Sequence, residues 1–555
     1  MAEPSTVLSL QFPWSLATLP EPPAGTEIKV NAAGTLLLAL AQDCQLSVPG
    51  YLHQPARLGG PIAWHGLRLQ LWSLPSPHSQ GETTMTLRIH DAQGASRHQR
   101  LRIAGNLGRY DKDQPSHPRN LRALDREMLI GMVVELVVNL LEMDQDELAS
   151  QGRIRGLVRT SWGKVKDALL ADRDVDEPRM ALIVRHARDL HRLVGELGQH
   201  PRRVLTRNRR MQPVQRIQEM DSACLSWYVR QPGRTPLEKA GSRQALLAVV
   251  REETIDTPEN RVLRDFLDRS SQAAEGYLGA NRNLSGSTRY REVSRYGRTC
   301  AALLRRPDLA AVRRLVGVAK PNYVLTSDQR YHRIWKAYQA LLRRQDDVDE
   351  AWSWQGRLWG DLVIMVVQTA LLSTSEPLAL APLYLHREQD RGRWLAAHDC
   401  IGVFATPRQV FMLHVADSPT TEASVSEPCR RYAALAPLLV IRGAAFGGGE
   451  REDTLIWAVA DGGIEPVNLQ HATGSASQAL VAWHLDPKRR FHGHRRAHRG
   501  ILVMPPETMS PTKTSGPIQT STSGAVIGVR LPLSTDQLNA GINCLGSLLV
   551  RGACQ

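Results

Sequence analysis

Three side chains in the C-terminal third of the chain could form a metal-dependent hydrolytic centre. Asp486 and Lys488 follow an apolar run, and Asp453 lies upstream of it. Paired carboxylates can hold Mg²⁺ at a scissile phosphate, and a lysine can orient or activate the attacking water. Against this, Pro487 separates the acid from the lysine, and proline removes a strand hydrogen bond. The spacing therefore gives a candidate catalytic set of Asp453, Asp486 and Lys488, which rests on a short motif.

Two basic segments could contact the phosphate backbone of DNA. Segment 201–210 falls in a turn-rich stretch between predicted helices and carries few acids, whereas segment 488–499 also contains Phe491, which could stack on a base. The candidate DNA-binding residues are Arg202, Arg203, Arg207, Arg209, Arg210, Arg489, Arg490, Arg495, Arg496 and Arg499. The histidines of the second segment are poor metal ligands, because the surrounding positive charge opposes a bound cation. A solvated charged face is the alternative for both segments.

Length and composition indicate a globular, basic, multidomain protein. The 555 residues are too many for one core and suggest about three domains. Hydrophobic residues make up 42% and charged residues 22%, which is typical of folded domains, and the formal charge of +14 favours a polyanionic partner such as nucleic acid. A basic protein without such a partner is the alternative that charge alone leaves open.

The cysteines and the N-terminus indicate a cytoplasmic protein. The seven cysteines are scattered and contain no Cys-x-x-Cys pair, which argues against a disulfide framework or a zinc ribbon and fits a reducing compartment. The N-terminus lacks the basic and apolar regions of a secretory signal. The most apolar run, 362–372, is too short to cross a bilayer and predicts a buried helix, so we expect no membrane association.

No motif for nucleotide hydrolysis or acyl transfer is present in the sequence. The triple glycine 447–449 lacks the Lys-Ser/Thr of a phosphate-binding loop and is followed by acids, and no Gly-x-Ser-x-Gly elbow occurs. Any ATP or GTP hydrolysis must therefore come from a partner. We expect no resident cofactor, with Mg²⁺ bound only if the candidate catalytic set is active.

Hydrophobic periodicity predicts a multidomain α+β protein. Residues 1–115 contain strand-like runs at 35–40, 67–72 and 84–89, two of which alternate, and predict a β-rich docking domain. Helical patterns dominate 116–345. Residues 346–555 mix the buried helix with strand-like runs and predict an α/β domain.

A family resemblance lies in the middle of the chain. Residues 251–261 read R-E-E-T-I-D-T-P-E-N-R, an acidic turn that runs into a helix with Thr257 as N-cap and Pro258 at the first helical position. Residues 321–335 contain P-N-x-x-L-x-x-D-x-R-Y-x-x-x-W, in which Tyr331 and Trp335 share one helical face and are expected in the core. Both segments resemble the signatures of the McrC-like family, the partner subunits of AAA+ NTPases in modification-dependent restriction systems.

The resemblance implies a PD-(D/E)XK nuclease fold for 346–555, but one that has lost its catalytic groups. In the alignment that we favour, Leu438 and Trp457 stand where the two acids belong, and Val459 stands where the lysine belongs. Gly360 replaces the helix glutamate that often completes such a site. None of these side chains can hold Mg²⁺, so this alignment predicts a pseudonuclease.

The sequence therefore predicts a McrC-like, DNA-associated subunit of a prokaryotic antiviral defence complex. Its partners would be a McrB-like AAA+ NTPase and DNA, and it would lack catalysis of its own. One alternative is an active Mg²⁺-dependent PD-(D/E)XK endonuclease in the same type of complex, built on Asp453, Asp486 and Lys488. Another is a basic adaptor that contacts only protein.

Overall fold

Two compact units make up the chain in a computed structural model. The structure describes residues 6–9, 17–18, 27–31, 36–50, 54–64, 67–74, 82–104, 130–141, 157–170, 177–178, 180–317, 319–353, 355–390, 393–396, 400–416, 437–446, 452–459, 468–485, 496–506, 518–532 and 535–551. Unit 1 comprises Met1–Ala181 and Arg344–Gln555, and unit 2 comprises Leu182–Arg343.

Unit 1 begins with a β-sandwich. Its strands are β1 (Thr6–Ser9), β2 (Ala17–Thr18), β3 (Glu27–Asn31), β4 (Leu36–Ala41), β5 (Gln45–Ser47), β6 (Ala56–Trp64), β7 (Leu67–Leu74), β8 (Glu82–His90) and β9 (Ser96–Ala104). They form a five-stranded sheet in the order β2-β1-β4-β7-β6 and a four-stranded sheet in the order β3-β9-β8-β5. Alternate residues such as Leu38, Trp72 and Leu87 fill one core between the sheets, which confirms the predicted half-buried strands.

Three short elements follow in unit 1: α1 (130–141), β10 (Leu157–Thr160) and α2 (Trp162–Leu170). Only the second half of the predicted helix at 121–141 lies within the described residues.

Helices dominate unit 2, as the sequence predicts. The elements are α3 (Leu182–Gln199), β11 (Val204–Pro213), α4 (Ser222–Arg230), α5 (Pro236–Lys239), β12 (Ala245–Thr254), α6 (Pro258–Ala280), α7 (Thr288–Leu304), α8 (Pro307–Ala311), α9 (Tyr323–Ser327) and the part of α10 (Gln329–Ser353) up to Arg343. Helices α6 and α7 approach closely because Gly297 faces Ala274: a Cβ at this glycine would lie 2.8 Å from the alanine Cβ. Strands β11 and β12 pair antiparallel over their full ten residues.

The C-terminal part of unit 1 is built on a mixed sheet. Its elements are α11 (Gln355–Thr374), β13 (Glu376–Leu380), β14 (Leu383–Asp390), β15 (Arg393–Leu395), β16 (Cys400–Ala405), β17 (Gln409–Val415), β18 (Leu439–Ala445), β19 (Glu452–Ala458), α12 (Leu469–Leu485), β20 (Arg496–Met504), β21 (Thr520–Ser523), β22 (Val526–Arg530) and α13 (Thr535–Arg551). Eight strands run in the order β13-β16-β17-β18-β19-β20-β22-β21, while β10, β14 and β15 form a separate small sheet.

Helices cover both faces of the eight-stranded sheet. Strands β18 and β19 are antiparallel, whereas β19 and β20 are parallel and are joined through α12. Apolar side chains of α11 and α13 pack on one face, and those of α12 pack on the other. The arrangement confirms the predicted α+β fold class. Among the described helices, none is long and apolar enough to cross a membrane.

Candidate functional site

The segment that carries the first resemblance forms a well-capped helix start. Thr257 is the N-cap of α6, and its hydroxyl accepts from the Asn260 amide at 3.4 Å. Just before it, Asp256 accepts from Arg261 at 2.8 Å and from Arg313 at 2.5 Å. The hydrogen bond from Arg261, reinforced by that from Arg313, holds the pKa of Asp256 well below its ordinary value. The carboxylate is therefore charged at any physiological pH.

A polar network centred on the buried residues Glu259, Asn260 and Tyr331, here called the signature network, joins the two segments that carry the resemblance. It consists of Arg202, Glu259, Asn260, Asn322 and Tyr331. Glu259, 2% exposed, accepts from Arg202 at 2.9 Å and from Asn322 at 2.8 Å. The side-chain amide of Asn260 donates to the carbonyl oxygen of Arg202 at 2.7 Å, and its oxygen accepts from the Tyr331 hydroxyl at 2.7 Å.

The signature network fixes the chain just before β11. The Tyr331 hydroxyl also accepts from the Arg202 amide at 3.1 Å, so both backbone polar groups of Arg202 are held by network side chains. Burial raises the pKa of Tyr331 to about 12, which keeps the hydroxyl protonated as a donor. Tyr331 and Trp335 are buried, as predicted. The network has the satisfied, interlocked geometry of a structural support.

Strands β11 and β12 carry paired charges along an exposed ribbon, here called the arginine ribbon. The pairs are Arg203–Glu253 at 3.4 Å, Arg209–Asp221 at 2.7 Å, Arg210–Glu252 at 2.7 Å, Arg251–Glu219 at 3.0 Å and Arg207–Glu219. The hydrogen bond from Arg209 lowers the pKa of Asp221 far below its ordinary value. Five of the candidate DNA-binding arginines therefore lie at or beside this ribbon, and each has a carboxylate partner.

This arrangement corrects two expectations for segment 201–210. From Val204 onwards the segment is a strand rather than a turn-rich link, because it pairs with β12. It is also supplied with acids, since Glu219 and Asp221 and the glutamates of β12 reach it through the fold. Sequence analysis did not single out Glu219 or Arg251. Cross-strand pairing brings Arg251 directly opposite Arg207. In the sequence, the one indication of these ion pairs was the density of acidic residues in the segments nearby.

Gly360 and Leu438, two of the four residues that the favoured alignment places at nuclease positions, lie close together at the start of β18. A Cβ at Gly360 on α11 would lie 3.4 Å from Cδ1 of Leu438. The Leu438 amide donates to the carbonyl oxygen of Ile456 at 2.8 Å, which places it beside the end of β19. The buried carboxylate next in sequence, Asp361, accepts from the Trp394 and Leu395 amides at 2.6 and 3.3 Å. It therefore joins α11 to β15.

The other two positions face the opposite side of the sheet. Trp457 and Val459 pack in the core against α12, while Ile456 and Ala458 pack in the core against α11. The four side chains of the favoured alignment are thus not all on one face. Both faces of this strand end are nonetheless apolar, so a shift of one residue along β19 supplies neither an acid nor a lysine. Within the described ranges, no three His, Cys, Asp or Glu side chains group as a metal site would need.

The alternative catalytic set is only partly within the described residues. Asp453 is buried on β19, directly opposite Arg442 of β18. Asp486 and Lys488 lie outside the described residues, and so does residue 487 between them. The apolar run before Asp486 is the end of helix α12 and not a strand. This removes the support that a strand would give to an Asp-x-Lys motif at that point.

The second basic segment also lies largely outside the described residues. Arg489, Arg490 and Arg495 are not described. Arg496 begins β20 opposite Glu452, and Arg499 is half-buried on the same strand. Contact between this second basic segment and DNA stays a prediction.

Comparison with known proteins gives a family match that covers most of unit 2. Residues 168–338 match the family described as a domain of unknown function, DUF2357. The chain is similar to one in a solved structure of Thermococcus gammatolerans McrB AAA+ hexamers with bound McrC, at 8% identity and a TM-score of 0.22. That match covers 88% of this chain and 85% of the other. No curated protein matches the sequence.

Proposed function

We propose that the chain is a McrC-like, non-catalytic subunit of a prokaryotic antiviral restriction complex. It works in the cytoplasm with a McrB-like AAA+ NTPase and binds DNA. The NTPase supplies nucleotide hydrolysis, because the sequence has no phosphate-binding loop of its own.

The absence of catalysis rests on the apolar end of β19. A PD-(D/E)XK centre needs carboxylates that hold Mg²⁺ beside the scissile phosphate. Gly360 and Leu438 meet there, and the adjoining strand presents Ile456 and Ala458 on one face and Trp457 and Val459 on the other. None of these side chains can bind a metal ion or activate water. This observation carries the pseudonuclease proposal.

The association with an AAA+ partner rests on the two signature segments. Their residues touch one another through Glu259–Asn322 and Asn260–Tyr331, so they act as one structural element. This coherence is expected of a family signature and not of a chance likeness. The network also holds the backbone of Arg202 at the start of the arginine ribbon, whose exposed residues offer a surface for a partner.

Nucleotide turnover tests the partnership. The purified chain alone should hydrolyse neither ATP nor GTP, and it should co-elute with, and change the turnover of, the AAA+ NTPase encoded nearest to it. Robust turnover by the isolated chain contradicts the proposal. So does an NTPase whose elution and turnover are unaffected by the chain.

An active endonuclease built on Asp453, Asp486 and Lys488 is the second candidate. The observation in its favour is that Asp453 is a buried carboxylate on a central strand of the sheet. Against it, Asp453 lies directly opposite the basic residue Arg442 on the neighbouring strand, and a nearby positive charge opposes a bound cation.

A further inference from the structure

The exposed strand of the arginine ribbon carries side chains suited to nucleic acid, while its partner strand is buried at Leu246, Ala248 and Val249. Ten paired residues in each strand give a two-stranded antiparallel ribbon about 33 Å long. Residues Arg207, Asn208, Arg209 and Arg210 are all exposed, so both faces of β11 are open to solvent there. The major groove of duplex DNA admits a two-stranded β-ribbon, and arginine and asparagine are among the side chains that contact phosphates and base edges.

The charges of the ribbon are nevertheless neutralised within the chain. Arg207, Arg209 and Arg210 have side chains that are 63, 54 and 62% exposed, yet each is paired with a carboxylate. Exposed ion pairs of this kind contribute little to stability, because water screens them and both side chains lose freedom. A phosphate can therefore take the place of a carboxylate at small cost.

Glu219 neutralises two arginines at once. Arg207 and Arg251 stand directly opposite each other on β11 and β12, where like charges repel. Glu219 lies outside both strands and accepts from both guanidinium groups, which offsets that repulsion. A backbone phosphate has the charge and the acceptor oxygens to bridge the same two arginines.

Glu252 has the corresponding role on the other face of the ribbon. It accepts from Arg210 at 2.7 Å and from Asn208 at 3.1 Å. Its removal would free one cation and one amide that can form hydrogen bonds with bases. Each face of the ribbon thus has one carboxylate that binds two potential DNA-binding side chains.

We propose that the arginine ribbon is a duplex-DNA-binding surface held in check by Glu219 and Glu252, which DNA phosphates displace on binding. The inference rests on the DNA association included in the proposed function and adds its location and its internal competitor. Because each exchange costs little, a duplex that engages several arginines together can displace both carboxylates.

Duplex binding by carboxylate variants tests the proposal. Fluorescence anisotropy with a short mixed-sequence DNA duplex, over a series of salt concentrations, compares the full-length wild type with Glu219→Gln and Glu252→Gln. Glu275→Gln is the matched control, because Glu275 is exposed on α6 and its replacement changes the net charge equally. Each ribbon variant should bind roughly fivefold more tightly at low salt, and the slope of log affinity against log salt should steepen by about 1 for each additional phosphate that is neutralised.

The outcomes separate this proposal from the broader one. If the wild type binds DNA but both ribbon variants bind it no more tightly than Glu275→Gln does, the carboxylate competition is overturned and DNA association stands. No binding by any protein, in a preparation with a wild-type thermal unfolding transition, overturns both. If Glu219→Gln unfolds, Glu252→Gln decides alone. Tighter binding of the ribbon variants to poly-glutamate but not to duplex DNA would overturn the proposal in favour of an acidic protein partner.

Discussion

The hydroxyl of Tyr331 on α10 donates to the side-chain oxygen of Asn260 on α6 at 2.7 Å, inside the buried part of unit 2. The two residues are 71 positions apart, and each belongs to a different segment of the family resemblance. Their contact explains why both segments occur together, because neither residue has its full set of hydrogen bonds without the other. It also explains how the start of the arginine ribbon is fixed, since both residues hold the backbone of Arg202.

Removal of the Tyr331 hydroxyl should destabilise the protein. Tyr331→Phe leaves the Asn260 oxygen and the Arg202 amide without this partner, and an unsatisfied buried polar group costs about 1–3 kcal/mol. The free energy of unfolding in urea measures the loss. Tyr323→Phe is the control, because Tyr323 is 81% exposed on α9 and should change stability little. Equal stability of the two variants would contradict a structural role for the signature network.

The helix start should depend on Thr257 and Glu259 to different extents. Thr257→Ala removes an N-cap and should cost about 1 kcal/mol. Glu259→Ala should cost more, roughly 2–3 kcal/mol, because it strips Arg202 and Asn322 of a buried acceptor. Thermal and urea unfolding measure both, with the half-buried Thr299→Ala and the exposed Glu275→Ala as controls. Normal unfolding with lost binding to the AAA+ partner would make the segment a contact surface instead.

Asp256 should make stability depend on acid pH. Arg261 and Arg313 lower the pKa of this carboxyl in the folded state, below an unfolded value of about 3.9. The resulting stabilisation is fully present above about pH 4 and is lost as pH falls towards the folded pKa. Asp256→Asn should therefore be less stable than wild type at neutral pH, by a margin that narrows below about pH 4.

Urea unfolding at several pH values measures this margin, with the exposed Asp268→Asn as the control. A margin for Asp256→Asn that is the same at every pH would show that the carboxylate charge is not its source.

The second basic segment should bind DNA without sequence preference. Replacement of Arg489, Arg490, Arg495 and Arg496 by Gln should weaken binding to all duplexes about equally and reduce the salt dependence, by about one slope unit for each phosphate that the variant no longer neutralises. The control replaces an equal number of exposed helix arginines, namely Arg291, Arg295, Arg298 and Arg305. Affinity at low salt equal to that of the control variant would remove this segment from the DNA-binding surface.

Elements whose signals are local could be predicted from the sequence. The N-cap Thr257 and the first-turn Pro258 mark the start of α6 at the expected residue. The alternation of β7 and β8 and the apolar run of α11 are likewise read correctly, because each follows from which side chains are buried. The strands β17 to β20 also fall where the apolar runs are.

Contacts between distant residues could not be predicted in the same way. The arginine ribbon was missed because β11 is exposed on both faces in its middle and lacks the alternation that marks a half-buried strand. Its acids come from β12 and from Glu219 and Asp221, which only the fold brings close. The apolar run before Asp486 did not show by itself that it is a helix, because short apolar segments of helices and strands look alike.

Plasmid cleavage by the assembled complex tests the central claim most directly. The assay contains the chain, its AAA+ partner, nucleotide and Mg²⁺ or Mn²⁺, with wild type beside Asp486→Ala, Lys488→Ala and Asp453→Asn. Because Gly360, Leu438 and the end of β19 offer no ligand for a metal ion, we predict no cleavage by this chain. Any cleavage by the complex should then be unchanged in all three variants, which would place the nuclease in another subunit. Cleavage abolished by Asp486→Ala in a complex that still assembles would contradict the account and establish an active centre in this chain.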